Sequence, residues 1–302
     1  MQLRTNGWFD EWRSMQPVYK RKVCRGGVEV SVYGAQRNWN FAGETKETIE
    51  AGNHGITKAL AFVIDDCEVM DALVPKPAFN AKVVESKDLS DERLPSFFRG
   101  ADADGVLLDT RRQAYFLASA DCLTTVLYDV TPHRAIAMHC GRDALIDRGA
   151  LSGKPARQFA SVIDAGMQRI IEGGWSKSML LGVYLAAGIG PATFTHPTTP
   201  TMFDGAGNSV PNTYREANAT LISFLTRMYN DRGFNVVTDQ DQGKINLVEL
   251  VIAQLSNYGV TREQIVSDGV DTATDTGPDG QFLFHSNRRD KTKRNLVVVK
   301  LL

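Results

Sequence analysis

The sequence predicts an α/β fold, a single layered α/β/α domain with a mixed β-sheet that spans residues 1–302. Short apolar runs typical of strands alternate with stretches whose apolar residues recur at helical spacing. A short hairpin and a pair of C-terminal strands indicate a mixed rather than an all-parallel sheet. No linker rich in Pro, Gly or Ser divides the chain, so we expect one domain.

Two strands and a helix are predicted in the first hundred residues. Residues 28–33 alternate as Val-Glu-Val-Ser-Val-Tyr, which is typical of a half-buried strand. Residues 45–51 predict a short helix that ends near Gly52. Residues 59–64 form an apolar run that predicts a second strand.

Two apolar runs lie in the middle of the chain, where they include or adjoin Cys122 and His139. Residues 115–128 are rich in strand formers, and residues 134–138 are short and almost wholly apolar. The turn between them, residues 129–133, reads Asp-Val-Thr-Pro-His. The two runs therefore predict neighbouring strands joined by a tight turn.

Helices and strands alternate in the second half of the chain. The predicted helices are 155–173, 213–230 and 242–258, and the predicted strands are 179–187, 234–238, 282–284 and 296–302. Residues 193–210 form a long loop of Thr, Pro, Gly and Asn, and loops of this length are often lids, binding loops or disordered segments.

Composition limits the classes of partner. The formal net charge is −1, so no overall positive charge attracts nucleic acid or anionic lipid. No apolar run approaches the roughly 18 residues of a membrane helix, and the N-terminus lacks the apolar segment of a secretory signal. Four scattered cysteines are typical of a reducing compartment. We expect a cytoplasmic monomer.

Cys122 and His139 are the candidate site residues. Cys122 lies within the first apolar run and His139 directly follows the second, so they can lie close in space if the two strands pair. A thiolate and an imidazole together bind a metal such as zinc, or act as nucleophile and base. A third interpretation is a small buried hydrophobic residue beside a satisfied core histidine.

Four short segments in fixed order resemble one known family. They are Ala-Asp-Ala-Asp at 101–104, Ala-Asp-Cys at 120–122, Ile-Gly-Pro at 189–191, and Phe-His-Ser-Asn-Arg-Arg-Asp at 284–290 followed by Arg294. This pattern resembles the laccase-domain family, whose members are called polyphenol oxidoreductases, peptidoglycan editing factors or purine nucleoside phosphorylases. The resemblance covers the chain from about residue 101 to its end, and residues 1–100 match poorly.

The resemblance implies a zinc site of two His and one Cys. Cys122 and His139 fall on two of these positions, and Asn80, in Ala-Phe-Asn-Ala at 78–81, falls on the third, where the family has His. An amide oxygen is a weaker zinc ligand than an imidazole. The other candidates for a third ligand are Cys140, His285 and His54.

The activity that the resemblance implies is purine nucleoside phosphorolysis. Phosphate attacks the ribose carbon as the purine leaves, so the substrates are a purine nucleoside and phosphate. Arg288 and Arg289 either line this site, since paired arginines bind phosphate or carboxylate, or brace its loops. Only five histidines, widely spread, are available, which disfavours the multicopper chemistry that the name laccase implies.

Two alternatives need no metal. The same fold group is similar to deamidating toxins, in which a Cys nucleophile works with a His base; here Cys122 would attack an amide carbon and His139 would carry the proton. The glycine-rich turn at 188–191 would supply N–H groups to the oxyanion. The other alternative is a catalytically degenerate member that binds a nucleotide or a partner protein.

Overall fold

The computed structural model describes residues 17–35, 55–89, 93–94, 97–98, 101–177, 179–203 and 207–302. The strands are β1 Tyr19–Val23, β2 Val28–Tyr33, β3 Asp71–Leu73, β4 Val83–Glu85, β5 Arg93–Leu94, β6 Phe97–Phe98, β7 Gly105–Leu108, β8 Gln113–Ser119, β9 Leu123–Asp129, β10 Arg134–Cys140, β11 Leu181–Ala186, β12 Thr201–Phe203, β13 Ser209–Pro211, β14 Val237–Asp239, β15 Lys244–Ile245, β16 Ile265–Ser267 and β17 Asn295–Leu301. The helices are α1 Gly55–Asp66, α2 Ser86–Leu89, α3 Arg142–Leu145, α4 Arg148–Leu151, α5 Val162–Glu172, α6 Arg215–Met228 and α7 Leu247–Ser256.

Two mixed sheets form the centre of the fold. The first has the strand order β1-β2-β17-β8-β3-β6-β5, and the second has the order β16-β11-β9-β10-β7-β4. The last strand of the chain, β17, lies between β2 and β8, antiparallel to both. The N-terminal and C-terminal parts of the described chain are therefore joined in one sheet.

The inner faces of the two sheets pack against each other. Val30 and Val32 of β2 share one apolar cluster with Val126 of β9 and Ala137 of β10, and all four side chains are fully buried. Since side chains alternate between the two faces of a strand, the residues between them point outward. Both faces of the central strands β8, β9, β10 and β17 are buried, which explains why most of their residues are apolar.

Helices cover the two outer faces. Helix α1 packs on the outside of the first sheet, where Leu60 and Val63 meet Phe116 of β8. Helices α5 and α7 pack on the outside of the second sheet, in the largest apolar cluster of the described chain. The order of layers is helix, sheet, sheet, helix.

The mixed α/β class predicted from the sequence is confirmed, with the strands divided between two sheets. The two sheets arise because the apolar run at 115–128 is two strands. β8 joins the first sheet and β9 joins the second, with a turn at residues 120–122 between them. This turn places Cys122 at an end of the space between the sheets. The single-domain organisation over 1–302 stays a prediction.

Several predicted elements were wrong. Residues 59–64 lie in helix α1, because the buried residues Ala59, Leu60, Val63 and Cys67 recur at helical spacing along an apolar run that resembles a strand. Residues 282–284 form only an isolated bridge between Thr276 and Phe282.

The ends of two helices also differ from the prediction, because capping side chains set them. Helix α5 begins at Val162 rather than near Pro155, since the Ser161 side chain accepts a hydrogen bond from the N–H of Asp164. Helix α7 begins at Leu247 rather than near residue 242, since the Asn246 side chain accepts a hydrogen bond from the N–H of Glu249. The predicted helix at 45–51 and His54 lie outside the described residues. No helix in the described part of the chain is long and apolar enough to span a membrane.

Candidate functional site

The structure brings the thiol of Cys122 and the imidazole of His139 together. In the antiparallel pairing of β9 and β10, Cys140 faces Leu123, so Cys122 lies opposite Gly141. His139 is two residues before Gly141 and points to the same side. A β-carbon on Gly141 would lie 2.9 Å from Sγ of Cys122 and 3.4 Å from Nε2 of His139. The two side chains therefore meet over Gly141, and space rather than backbone conformation requires glycine there, since its φ is −74°.

Cys140 is not part of this pair. It points to the opposite face of β10, fully buried in the helix-side core. Burial raises the pKa of its thiol to about 12. Cys140 therefore packs as a small apolar side chain.

Asp104 is the charged residue behind His139. Its carboxylate accepts four backbone N–H bonds, from Ala78 and Phe79 to Oδ1 (3.1 and 2.8 Å) and from Asn80 and Ala81 to Oδ2 (2.8 and 2.9 Å). Phe79 and Ala81 have positive φ values of 54° and 65°, which turn successive N–H groups toward one point. The carboxylate and this loop thus hold each other in place.

His139 lies between the carboxylate and the thiol. Its Nδ1 is 3.8 Å from Oδ1 of Asp104, a distance that suits an ion pair but is too long for a hydrogen bond. Only 3% of His139 is exposed. Burial disfavours the imidazolium, but Cys122 and Asp104 outweigh burial and raise the pKa of His139 to about 9. This arrangement favours a protonated imidazole beside the sulfur.

The loop at 78–81 presents Phe79, rather than Asn80, to the imidazole. The ring of Phe79 packs edge-on against His139, with 5.4 Å between centroids. The Asn80 side chain accepts a hydrogen bond from the N–H of Lys82 (3.2 Å) and lines an outer groove with Phe159 and Arg169 of the α5 region. The structure thus gives Asn80 a local role in its loop.

Asp121 ties three segments together beside Cys122. Its Oδ1 accepts a hydrogen bond from the Thr272 hydroxyl (3.1 Å) and its Oδ2 accepts one from the N–H of Asn287 (3.1 Å). Its carbonyl accepts a bond from the N–H of Ile189 (2.8 Å). The Ile189 N–H is therefore occupied and is not a donor to an oxyanion. Asp121 holds the loop that carries Arg288 next to Cys122.

Arg288 and Arg289 have different surroundings. Arg289 donates to the carbonyls of Ala273, Thr272 and Phe284, and its guanidinium lies 3.7 Å from the centre of the Phe282 ring. It braces the C-terminal loop. The Arg288 guanidinium lies over the ring of Phe194, 5.7 Å from its centre, within electrostatic reach of Asp121 and Arg142.

The other two candidates, Arg294 and His285, make hydrogen bonds within the C-terminal segment. Arg294 donates to the carbonyls of Lys291 and Lys293. His285 is buried, and its N–H donates to the Asn295 side chain (2.7 Å), which also donates to the carbonyl of Ala120 (3.0 Å). Asn295 therefore links the start of β17 to the segment that carries Cys122.

Sequence reasoning missed Asp104, Phe79, Arg142 and His196 as site residues. Asp104 lay in a recognised segment, but only the folded loop shows what its carboxylate holds. Arg142 directly follows His139-Cys140-Gly141 in the sequence, and this closeness to a predicted site residue could have identified it as a candidate. His196 is a lone histidine in a long loop, which no local pattern distinguishes.

Comparison with known proteins supports the fold. Bacillus licheniformis hypothetical protein YfiH is similar, with 17% identity, a TM-score of 0.61, and coverage of 91% of this chain and 93% of that chain. A Neisseria meningitidis protein, NMB0706 (DUF152), has 15% identity, a TM-score of 0.59, and coverage of 91% and 94%. YlmD from Geobacillus stearothermophilus has 14% identity, a TM-score of 0.60, and coverage of 95% and 98%.

The comparison with curated proteins finds no match. The model of one protein family, described as multi-copper polyphenol oxidoreductase laccase, matches residues 25–301, which is most of the chain. The resemblance seen in the short segments is thereby confirmed, and the chain belongs to this laccase-domain family.

Proposed function

We propose that the chain is a cysteine-dependent acyl hydrolase that acts on an amide or ester. Cys122 is the nucleophile, His139 is the general base and acid, and Asp104 positions the imidazole and stabilises its protonated form. The observation that carries the proposal is the position of His139, buried between the thiol and a carboxylate that four N–H groups hold in place.

The reaction proceeds in two steps. In the resting pair His139 already holds the proton, so Sγ bonds to the carbonyl carbon without a proton of its own, and the imidazolium gives its proton to the leaving amine or alcohol when the intermediate collapses. This leaves an S-acyl Cys122 beside a neutral imidazole. Water then attacks the thioester carbon, His139 accepts a proton from it, and the collapse of the second intermediate releases the carboxylic acid and restores the resting pair.

A three-ligand zinc site fits these residues poorly. Catalytic zinc requires three protein ligands and one open position. Cys122 and His139 supply two donors, the carboxylate of Asp104 already accepts four N–H bonds, and Phe79 occupies the space beside the imidazole. Across the described ranges, no group of three His, Cys, Asp or Glu residues is arranged to hold a metal. Zinc stays a prediction, and metal analysis of protein purified without chelator tests it.

A second candidate function is purine nucleoside phosphorolysis. Membership of the family favours it, as does Arg288 on the loop that Asp121 binds next to Cys122, because a guanidinium holds phosphate well. This candidate predicts phosphate-dependent release of hypoxanthine from inosine, with about one zinc per chain that is lost in Cys122→Ala. Neither metal nor phosphate dependence is expected of the acyl hydrolase.

Selective alkylation tests the acyl hydrolase proposal. Burial raises the pKa of the Cys24 and Cys140 thiols to about 12, and burial also raises that of Cys67. We expect iodoacetamide to modify Cys122 at least about tenfold faster than these three thiols at pH 7.5. His139→Ala should slow only the reaction at Cys122. Equal rates at all four thiols would contradict the proposal and leave a binding role.

A further inference from the structure

Several cationic side chains come from segments that adjoin Cys122. Arg142 immediately follows Gly141, which contacts the sulfur, and Arg148 is one helix further along. Arg288 comes from the C-terminal loop that Asp121 holds. These three arginines, with His196, are here named the arginine cluster.

The four residues face one another. The guanidinium of Arg288 lies 5.7 Å from the centre of the Phe194 ring, and that ring packs edge-on against His196 with 4.7 Å between centroids. His196 in turn lies within electrostatic reach of Arg142, Arg148 and Arg288. Phe194 therefore contacts both the guanidinium of Arg288 and the imidazole of His196.

The cluster carries more positive charge than the nearby carboxylates carry negative charge: three guanidiniums lie near two acids, Asp143 and Asp121. Arg142 makes two hydrogen bonds to Asp143 (3.0 and 3.2 Å), and Arg148 shares the same carboxylate (3.3 Å). Asp121 accepts hydrogen bonds from Thr272 and Asn287 and interacts with Arg288 electrostatically, without forming an ion pair with it. Arg288 makes no side-chain hydrogen bond or ion pair with any residue in the described part of the chain.

His196 gives an independent indication of a missing partner. It is 6% exposed, and its Nδ1 has no hydrogen-bond partner among the residues that the structure describes. A buried polar atom without a partner is costly, and such atoms often mark the position of a ligand or water. Arg142 and Arg148 share the carboxylate of Asp143, and Arg288 has no ion pair among the described residues. The partner most favoured electrostatically is therefore an anion.

We propose that the arginine cluster binds an oxyanion, a carboxylate or phosphate group, of the molecule that Cys122 attacks. A guanidinium recognises both groups through two parallel hydrogen bonds. The statement that this oxyanion belongs to the acyl substrate rests on the proposed function. The substrate class is then an amide or ester that carries an acidic group.

Two alkylating reagents that differ in charge test the anion site separately from the thiol. Iodoacetate is anionic and iodoacetamide is neutral. The rate of iodoacetate divided by the rate of iodoacetamide at Cys122 is measured in the native protein and in the urea-unfolded chain. The native ratio divided by the unfolded ratio measures the local preference for an anion. We expect a normalised ratio of about fivefold in the native protein at low salt, and a value near one in Arg288→Gln.

Controls and competitors complete the experiment. Arg227→Gln, at an exposed arginine of α6 outside the cluster, should keep the wild-type ratio. Inorganic phosphate and acetate each compete with iodoacetate; stronger protection by phosphate assigns a phosphate group, and stronger protection by acetate assigns a carboxylate. A ratio near one in the wild-type protein, or an Arg288→Gln ratio equal to wild type, overturns the anion site. If Cys122 reacts slowly with iodoacetamide but the normalised rate ratio stays near fivefold, the acyl hydrolase proposal is overturned and the anion site is not.

Discussion

Gly141 is the residue on which the Cys122–His139 contact most directly depends. A methyl group there would lie 2.9 Å from Sγ of Cys122 and 3.3 Å from Cε1 of His139, while the backbone conformation suits any residue. We therefore predict that Gly141→Ala folds but separates the pair, slowing alkylation of Cys122 by iodoacetamide about tenfold. An unchanged rate with an unchanged melting temperature would show that thiol and imidazole are not in contact.

His196 should make the protein sensitive to acid. Burial, together with Arg142, Arg288 and Arg148, lowers the pKa of His196 to about 3 from its ordinary 6.5. Between these values the unfolded chain binds a proton that the folded chain does not, so stability is fully present above pH 6.5 and decreases as pH falls toward 3.

We predict that His196→Gln removes part of this pH dependence. Between pH 7 and pH 4.5, the free energy of unfolding of the wild type should decrease by on the order of 2 kcal/mol more than that of the variant. Urea unfolding at the two pH values measures the difference. Parallel stability curves for the two proteins would mean that His196 titrates normally.

At the scale of elements, the loop at 78–81 depends on the carboxylate of Asp104. Four N–H groups converge on it, and burial disfavours the carboxylate, but His139 and the N–H groups of Phe79 and Asn80 lower its pKa below the usual value. In Asp104→Asn the amide nitrogen replaces one accepting oxygen and faces N–H donors. We predict a loss of about 3 kcal/mol in the free energy of unfolding.

The exposed neighbour Asp102 provides the matched control. We expect Asp102→Asn to change the free energy of unfolding by less than about 0.5 kcal/mol. If both variants were equally stable, the four hydrogen bonds to Asp104 would not hold the loop in solution.

The elements also indicate which features the sequence could reveal. The alternation of Val28–Tyr33 and the apolar run at 134–138 predicted the strands β2 and β10 correctly, but β2 is buried on both faces rather than half-buried, because α1 packs over its outer side chains. The run at 59–64 suits either a strand or a buried helix, and only packing against Phe116 selects α1. The contact between Cys122 and His139 followed from strand pairing. The contacts of Asp104 and His196 depend on loop conformation, which no local pattern encodes.

The whole molecule should unfold as one unit, since β17 lies between β2 and β8 and the two sheets share an inner core. We predict a single urea transition with the same midpoint by far-ultraviolet circular dichroism and by tryptophan fluorescence, in which the buried Trp175 reports on the helix-side core. Two separated midpoints would contradict the single-domain prediction.

The candidate site lies at one end of the space between the two sheets. Cys122 lies before β9, His139 near the end of β10, and the Asn295 side chain at the start of β17 reaches the segment ahead of Cys122. Both sheets thus contribute residues to the candidate site.

The central claim is that Cys122 is a nucleophile activated by His139, and an acyl-enzyme is its most direct sign. The measurement is peptide mass spectrometry of the protein after brief exposure to p-nitrophenyl acetate at pH 7.5. We predict one acetyl group per chain on Cys122, released by hydroxylamine, and no acetylation of that residue in His139→Ala. Acetylation spread over lysines and other cysteines, with Cys122 unmodified, would contradict the claim.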